Sequence, residues 1–187
     1  MNDARQIFWR LFEEASAARG YFHTWWALRN RAIPDYLPVM NNYEYVDFFH
    51  ASNSGFLTLT FVSLAKIFDR DTRAVGMKSL REALIAEGHA AEAEAVKNQL
   101  SPHKDLVGRI LGIRNKSVSH NQADLSRDEV YKTYGVTPDE IRQLINDVCA
   151  VMNLVAEALG STNAISDGSR HENAAMKLLE ALGRGRT

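Results

Sequence analysis

The stretch LGIRNKSVSHNQ, residues 111–122, holds Arg114 and, six positions on, His120. Arginine carries a permanent charge on a planar fork of donors that suits phosphate or carboxylate. Histidine is the side chain that gives and takes protons near neutrality. Side by side they are equipped to handle a phosphodiester. The polar run HNQAD that begins at His120 reads as the end of a helix, where the helix dipole favours the protonated imidazole and suits it to general-acid work. Lys104, Arg109 and Lys116 join Arg114 against Asp105 in the same span, so a local anion site is expected. Plain structural alternatives stand beside these roles. Arg114 could be held in an ion pair by Asp69 or Asp71, His120 could cap backbone carbonyls, and Asp69 reads first as a helix-ending or pairing residue.

A helix has to present these groups. Ser101-Pro102 supplies a start signal, serine at the N-cap and proline at the first helical position. At about 100° per residue, Leu106, Val107, Ile110, Leu111 and Ile113 fall within one arc of about 160°, with Arg114 in its middle and His120 about 120° further round. The arginine is thereby aimed at a core or an interface.

The rest of the chain reads as helices almost throughout, because no segment alternates as a strand would. A first helix is expected over about 3–30, broken by RAIPDYLP, and a second over about 41–68. Shorter helices follow at 77–87 and through AAEAEAVKNQL, and then the site-bearing helix over about 102–121. Thr137, Pro138 and Glu140 form a capping box for a helix whose apolar stripe runs from Ile141 to Leu159 and stops at Gly160. GSTNAISDGS is a linker, and a short last helix is expected near 171–182. The fold class is all-α, a bundle built on long antiparallel helices, with residues 1–160 as the domain and 161–187 as linker and short C-terminal helix or tail.

Composition narrows the function classes. Twenty-two Lys and Arg against 23 Asp and Glu give a net charge of −1, so no global field draws nucleic acid. Residues 48–65 carry no formal charge, but His50, Asn53, Thr58, Thr60 and Ser63 are too polar for a lipid-facing helix, and no membrane span is expected. Cys149, the single cysteine, lies on an apolar stripe and reads as core. The N-terminal residues mix acids and arginine with apolar side chains and lack a secretory cleavage pattern, giving a cytoplasmic expectation. His23, His50, His89, His103 and His171 show no ligand spacing, so neither a metal site nor a cofactor is assigned.

RNKSVSH resembles the arginine, polar residue, four further residues, histidine signature of HEPN domains, small helical bundles common in prokaryotic toxins and phage-defence proteins. The upstream LAKIFDRDTRAVGMKSLREAL is similar to the matching segment of the AbiU-like abortive-infection branch. The resemblance spans about residues 5–160. It implies a metal-independent RNA endonuclease in which the substrate 2′-OH attacks the adjacent phosphate to leave a cyclic phosphate. Arg114 would hold the scissile phosphate, Asn115 would orient the site, and His120 would act as acid or base. Lys104, Arg109 and Lys116 would bind RNA, and Asp69 and Ser117 would support the site from behind. The resemblance also implies a homodimer with both motifs facing one cleft; an antitoxin or nucleotidyltransferase is the further partner class considered. Gln122 stands where some catalytic members carry tyrosine, and activities tied to that tyrosine are not implied. Two other classes remain: a non-catalytic module that binds RNA or nucleotide, and a helical partner-binding subunit of a toxin–antitoxin or defence complex.

Overall fold

In the computed structural model the described residues are 3–69, 71, 73–118 and 134–185. They contain helices and turns and no strand, as the all-α expectation requires. The helices are α1 (Ala4–Trp26), α2 (Ile33–Met40), α3 (Val46–Ile67), α4 (Met77–Ala86), α5 (Ala90–Leu100), α6 (Lys104–Ile113), α7 (Pro138–Ala158) and α8 (Ser169–Arg184). They fall into two compact units: Met1–Ala18 with Phe61–Ile165, and Arg19–Thr60 with Ser166–Thr187. The division passes through α1 and α3, each of which contributes residues to both units.

The first unit carries the motif. Phe8, Leu11 and Ala15 recur at helical spacing on α1 and are buried with Leu64 and Ile67 of α3. Ile110 and Ile113 of α6 and Leu144, Ile145, Val148 and Met152 of α7 are buried in the same unit. Cys149 lies in this core with its Sγ 3.8 Å from the Ala15 carbonyl. The start of α7 is the capping box read from sequence: Thr137 N–H donates to Glu140 Oε2 at 2.8 Å, and Glu140 N–H donates to Thr137 Oγ1 at 3.3 Å. Gly76, ahead of α4, packs against the Asp69 carbonyl, which a Cβ there would meet at 2.8 Å.

The second unit has its own core of Leu28, Val39, Met40, Phe49 and Leu179, closed by small side chains at Ala27, Ala32 and Ala175. At RAIPDYLP, the expected break in the first helix, α1 has given way to a π-turn over Ala27–Arg31, and a separate helix, α2, begins at Ile33. The Ala32 N–H bonds back to the Ala27 carbonyl at 2.8 Å, and a proline in the first turn of α2 lacks only an N–H that would have no helical partner. α8 runs over Ser169–Arg184, a few residues beyond the 171–182 expected, with Ala175 and Leu179 buried. Glu172 accepts from Arg31 at 2.9 Å and lies 2.6 Å from His23 Nδ1. Within α3 the charge-free run 48–65 includes Thr60 and Ser63, which are buried, and Thr60 Oγ1 donates to the Phe56 carbonyl at 2.9 Å. Among the described residues no helix is long and apolar enough to cross a membrane.

Candidate functional site: the end of α6

Two start and register expectations change at the site-bearing helix. Ser101 is not an N-cap. It opens a 3-10 turn, Ser101–His103, that joins α5 to α6 without a break, and its hydroxyl donates to the Asn98 carbonyl at 3.1 Å. At the other end the α-helix does not run on to 121. It stops at Ile113 and widens into a π-turn over Arg114–Val118. Wider single turns of this kind are frequent at functional sites. Because the turn changes the angular step per residue, the rotation assigned to His120 by α-helical arithmetic does not extend past Ile113. His120 itself, and the side chain of Ser117, lie outside the described residues.

Ile113 is wholly buried, Arg114 half-buried, and Asn115 and Lys116 exposed. Arg114 therefore sits where the core gives way to solvent. Its Nη1 donates to Asn115 Oδ1 at 2.9 Å, which fixes the plane of the guanidinium and joins the two residues into one group. Among the described residues it forms no ion pair. Asp71 is occupied by Arg73, through bonds of 3.1 and 2.8 Å, and Asp69 Oδ1 accepts the Asp71 N–H at 2.9 Å. The pairing of Arg114 with either aspartate, raised by sequence as an alternative, is not formed.

Arg109 is differently employed. One turn before the motif, its Nη2 donates to Glu140 Oε1 at 2.5 Å, its Nη1 to the Gly135 carbonyl at 2.7 Å, and its Nε to Asp105 Oδ2 at 3.0 Å. The guanidinium clamps α6 to the start of α7, and its charge is matched by two carboxylates. The same contact, with the Thr137 N–H bond behind it, holds the Glu140 carboxyl down at about 2, and Glu140 in turn raises Arg109. A residue so bound is a brace for the site rather than an open cation.

Tyr134 was not found by sequence reasoning. Its ring lies against Gly112, where an added Cβ would come 2.7 Å from Cζ, and Lys116 Nζ stands 5.7 Å from its centroid, within cation–π range. The one available signal was Gly112 itself: a glycine inside a helix costs about 1 kcal/mol against alanine and marks a close approach. Asp69 and Lys104 come together elsewhere, on a cavity of about 290 Å³ lined by α4, α5 and α6, which Arg114, Asn115 and Lys116 do not line. Among the described residues no three His, Cys, Asp or Glu side chains are grouped as metal ligands.

A family model described as AbiU2, of the HEPN class, matches residues 1–178. The chain belongs to the HEPN AbiU2 family. The match takes in both compact units and the first part of α8, and it gives this AbiU2 domain its abortive-infection character. No curated protein and no solved structure matches the chain significantly.

Proposed function

We propose that this AbiU2 domain is a metal-independent RNA endonuclease whose centre is the end of α6. The observation that carries the reading is Arg114: a half-buried guanidinium oriented by Asn115, with no carboxylate paired to it among the described residues. A cation held that way is suited to an incoming anion, and a planar fork suits two phosphoryl oxygens. In this reading Arg114 binds the scissile phosphate and stabilises the charge that builds on it. His120 takes the proton from the 2′-OH or delivers one to the leaving 5′-oxygen. The oxygen–phosphorus bond formed by the 2′-OH replaces the one broken to the 5′-oxygen, leaving a cyclic phosphate. DNA, without that hydroxyl, is not a substrate. Lys116, exposed beside Tyr134, adds a second positive contact for the strand, and Ser117 is assigned a supporting place in the same turn.

The active form is proposed to be a homodimer with the two motifs on one cleft, in which an arginine on an apolar arc opens between subunits. The protein acts in this reading within the cytoplasm, and a co-produced antitoxin or nucleotidyltransferase is the partner class that would neutralise it. The deciding experiment is incubation of the purified protein with total RNA in excess chelator. Cleavage that leaves cyclic phosphate ends is expected. Cleavage that appears only with added Mg²⁺ or Mn²⁺ would remove the proposed role of His120.

A further inference from the structure

We infer that the cavity walled by α4, α5 and α6 is a subsite for one unpaired nucleotide, which makes this domain selective for a base some distance from the cut. The nucleotide chemistry is argued from the cavity alone; its assignment to the RNA strand rests on the endonuclease reading above.

The floor is apolar, from Phe68, Met77, Val96 and Val107, and the rim is cationic, from Lys78, Arg81, Lys97 and Lys104. Two of these cations are already partly matched on the surface. Lys97 donates to both oxygens of Glu94 at 2.9 and 3.2 Å, and Lys78 stands 3.8 Å from Glu82. Arg81 commits Nε to the Ala93 carbonyl at 3.2 Å and shares the field of Glu94 with Lys97, and Lys104 has no ion pair among the described residues. The excess positive charge calls for an anion. An apolar floor beneath it calls for a flat or apolar body attached to that anion, since phosphate alone gains nothing from Phe68 or Met77. Among the described residues Asp69 is the one carboxylate on the wall, and a carboxylate accepts from amino or imino N–H groups such as those on base edges. A nucleoside phosphate has all three features. At about 290 Å³ the space is at the small end for ligand pockets, which range from about 300 to 1,000 Å³, and it fits one unit rather than a stack.

The segment that carries the reactive motif also ties this cavity to it: Lys104 opens α6, and Arg114 follows directly after its last residue, Ile113. Lys104 and Arg114 are ten residues apart, about 15 Å of helix, or four to five nucleotides of stacked strand at about 3.4 Å each. A strand whose scissile phosphate is at Arg114 has a nucleotide within reach of the cavity over that distance.

The test uses fluorescently labelled ribonucleoside monophosphates, inorganic phosphate as competitor and an unstructured RNA oligomer, with the full chain and three variants. Lys104→Glu reverses the rim charge. Ser101→Trp fills the mouth from an exposed position that no core contact uses. Arg114→Ala leaves the cavity intact. At least one mononucleotide is expected to bind wild type and Arg114→Ala alike, to bind each cavity variant about tenfold more weakly, and to resist competition by phosphate at equal concentration. Melting curves confirm that the variants are folded, and the two substitutions are chemically independent, so loss of one to misfolding leaves the other. If oligomer binding weakens with them, and sequencing of products shows a base preference several nucleotides from the cut that both variants erase, the occupant is the strand. If only the mononucleotide is affected, the occupant is a free nucleotide. Unchanged mononucleotide binding in both variants, or binding that phosphate abolishes, overturns the inference. Wild-type protein that leaves RNA uncut while the mononucleotide result holds would remove the endonuclease reading and leave the pocket.

Discussion

The ring of Tyr134 rests on the bare backbone of Gly112, two residues ahead of Arg114, and the Arg109 guanidinium donates to the carbonyl just beyond that tyrosine, at Gly135, at 2.7 Å. The end of α6 is thereby held from two sides: by a ring that packs where Gly112 has no Cβ, and by a cation bonded to the Tyr134 and Gly135 carbonyls and to the carboxylates of Asp105 and Glu140.

Gly112→Ala is therefore expected to destabilise the first unit by about 1 to 3 kcal/mol, the usual cost of forcing volume into a packed contact, despite the higher helix propensity of alanine. Combining it with Tyr134→Ala should recover part of the loss. Thermal melts of the two single variants and the double give the coupling, and strictly additive effects would show that the contact is not what Gly112 serves.

Glu140→Gln keeps a residue able to complete the capping box and removes the charge that meets Arg109. A loss of about 1 kcal/mol is expected, at the low end for a charge-assisted bond because the pair is partly solvated. The sign with pH follows from the carboxyl being held down at about 2 against an ordinary 4.5. The folded form gives up that proton more readily than the unfolded chain, so the stabilisation is full above about 4.5 and is lost as pH falls toward 2. Acid titration of stability should show this descent in wild type and a shallower one in the variant.

His171 gives a second, higher window. Burial first, then the positive charges of His23, Arg170 and Arg19, lower its pKa from the ordinary 6.5. The unfolded chain takes up this proton more easily, so the second unit should be at full stability above about 6.5 and lose stability on acidification below it. The ring also packs against Gly20, where a Cβ would meet it at 3.1 Å. Histidine NMR titration should place His171 below the ordinary value. A His171→Gln variant should melt with less dependence on pH between about 7 and 5; equal dependence would assign the effect to another group.

His120→Ala and Arg114→Ala should each abolish RNA cleavage, for different reasons. Removing a proton-transfer group costs about 10² to 10⁴ in rate, with RNA binding retained. Removing Arg114 should weaken binding as well. Since Arg114 has no ion pair among the described residues, its loss should not bring the roughly 3 to 5 kcal/mol collapse of a broken buried pair. A much lower melting temperature for Arg114→Ala, alongside RNA left uncut by wild type, would make the arginine a structural group.

Sedimentation at micromolar concentration is expected to show a dimer. The charge-free run 48–65 of α3 leaves Phe48 59% and Leu59 40% exposed, apolar side chains that a subunit interface would cover. A strictly monomeric protein would remove the shared cleft.

Local and periodic features were legible in the residues. The Thr137–Glu140 box, the apolar stripe of α7, the core place of Cys149 and the adjacency of Arg114 and Asn115 each depend on neighbours within a turn or two, and spacing encodes such neighbours directly. What spacing leaves undetermined is which distant group a side chain meets. Arg109 reads as a free cation until Glu140, 31 residues on, closes over it. Tyr134 has no evident role until packing lays it on Gly112. The shift from α to π at Arg114 is likewise invisible to a fixed angular step, because that step presumes the hydrogen-bond register it is used to find. The sequence alone determined an all-α chain with an arginine on the apolar arc of a helix; the tertiary structure ended that helix at Ile113 and decided which of its cations are braces and which face the solvent, since electrostatic pairing is settled by distance in space and not along the chain.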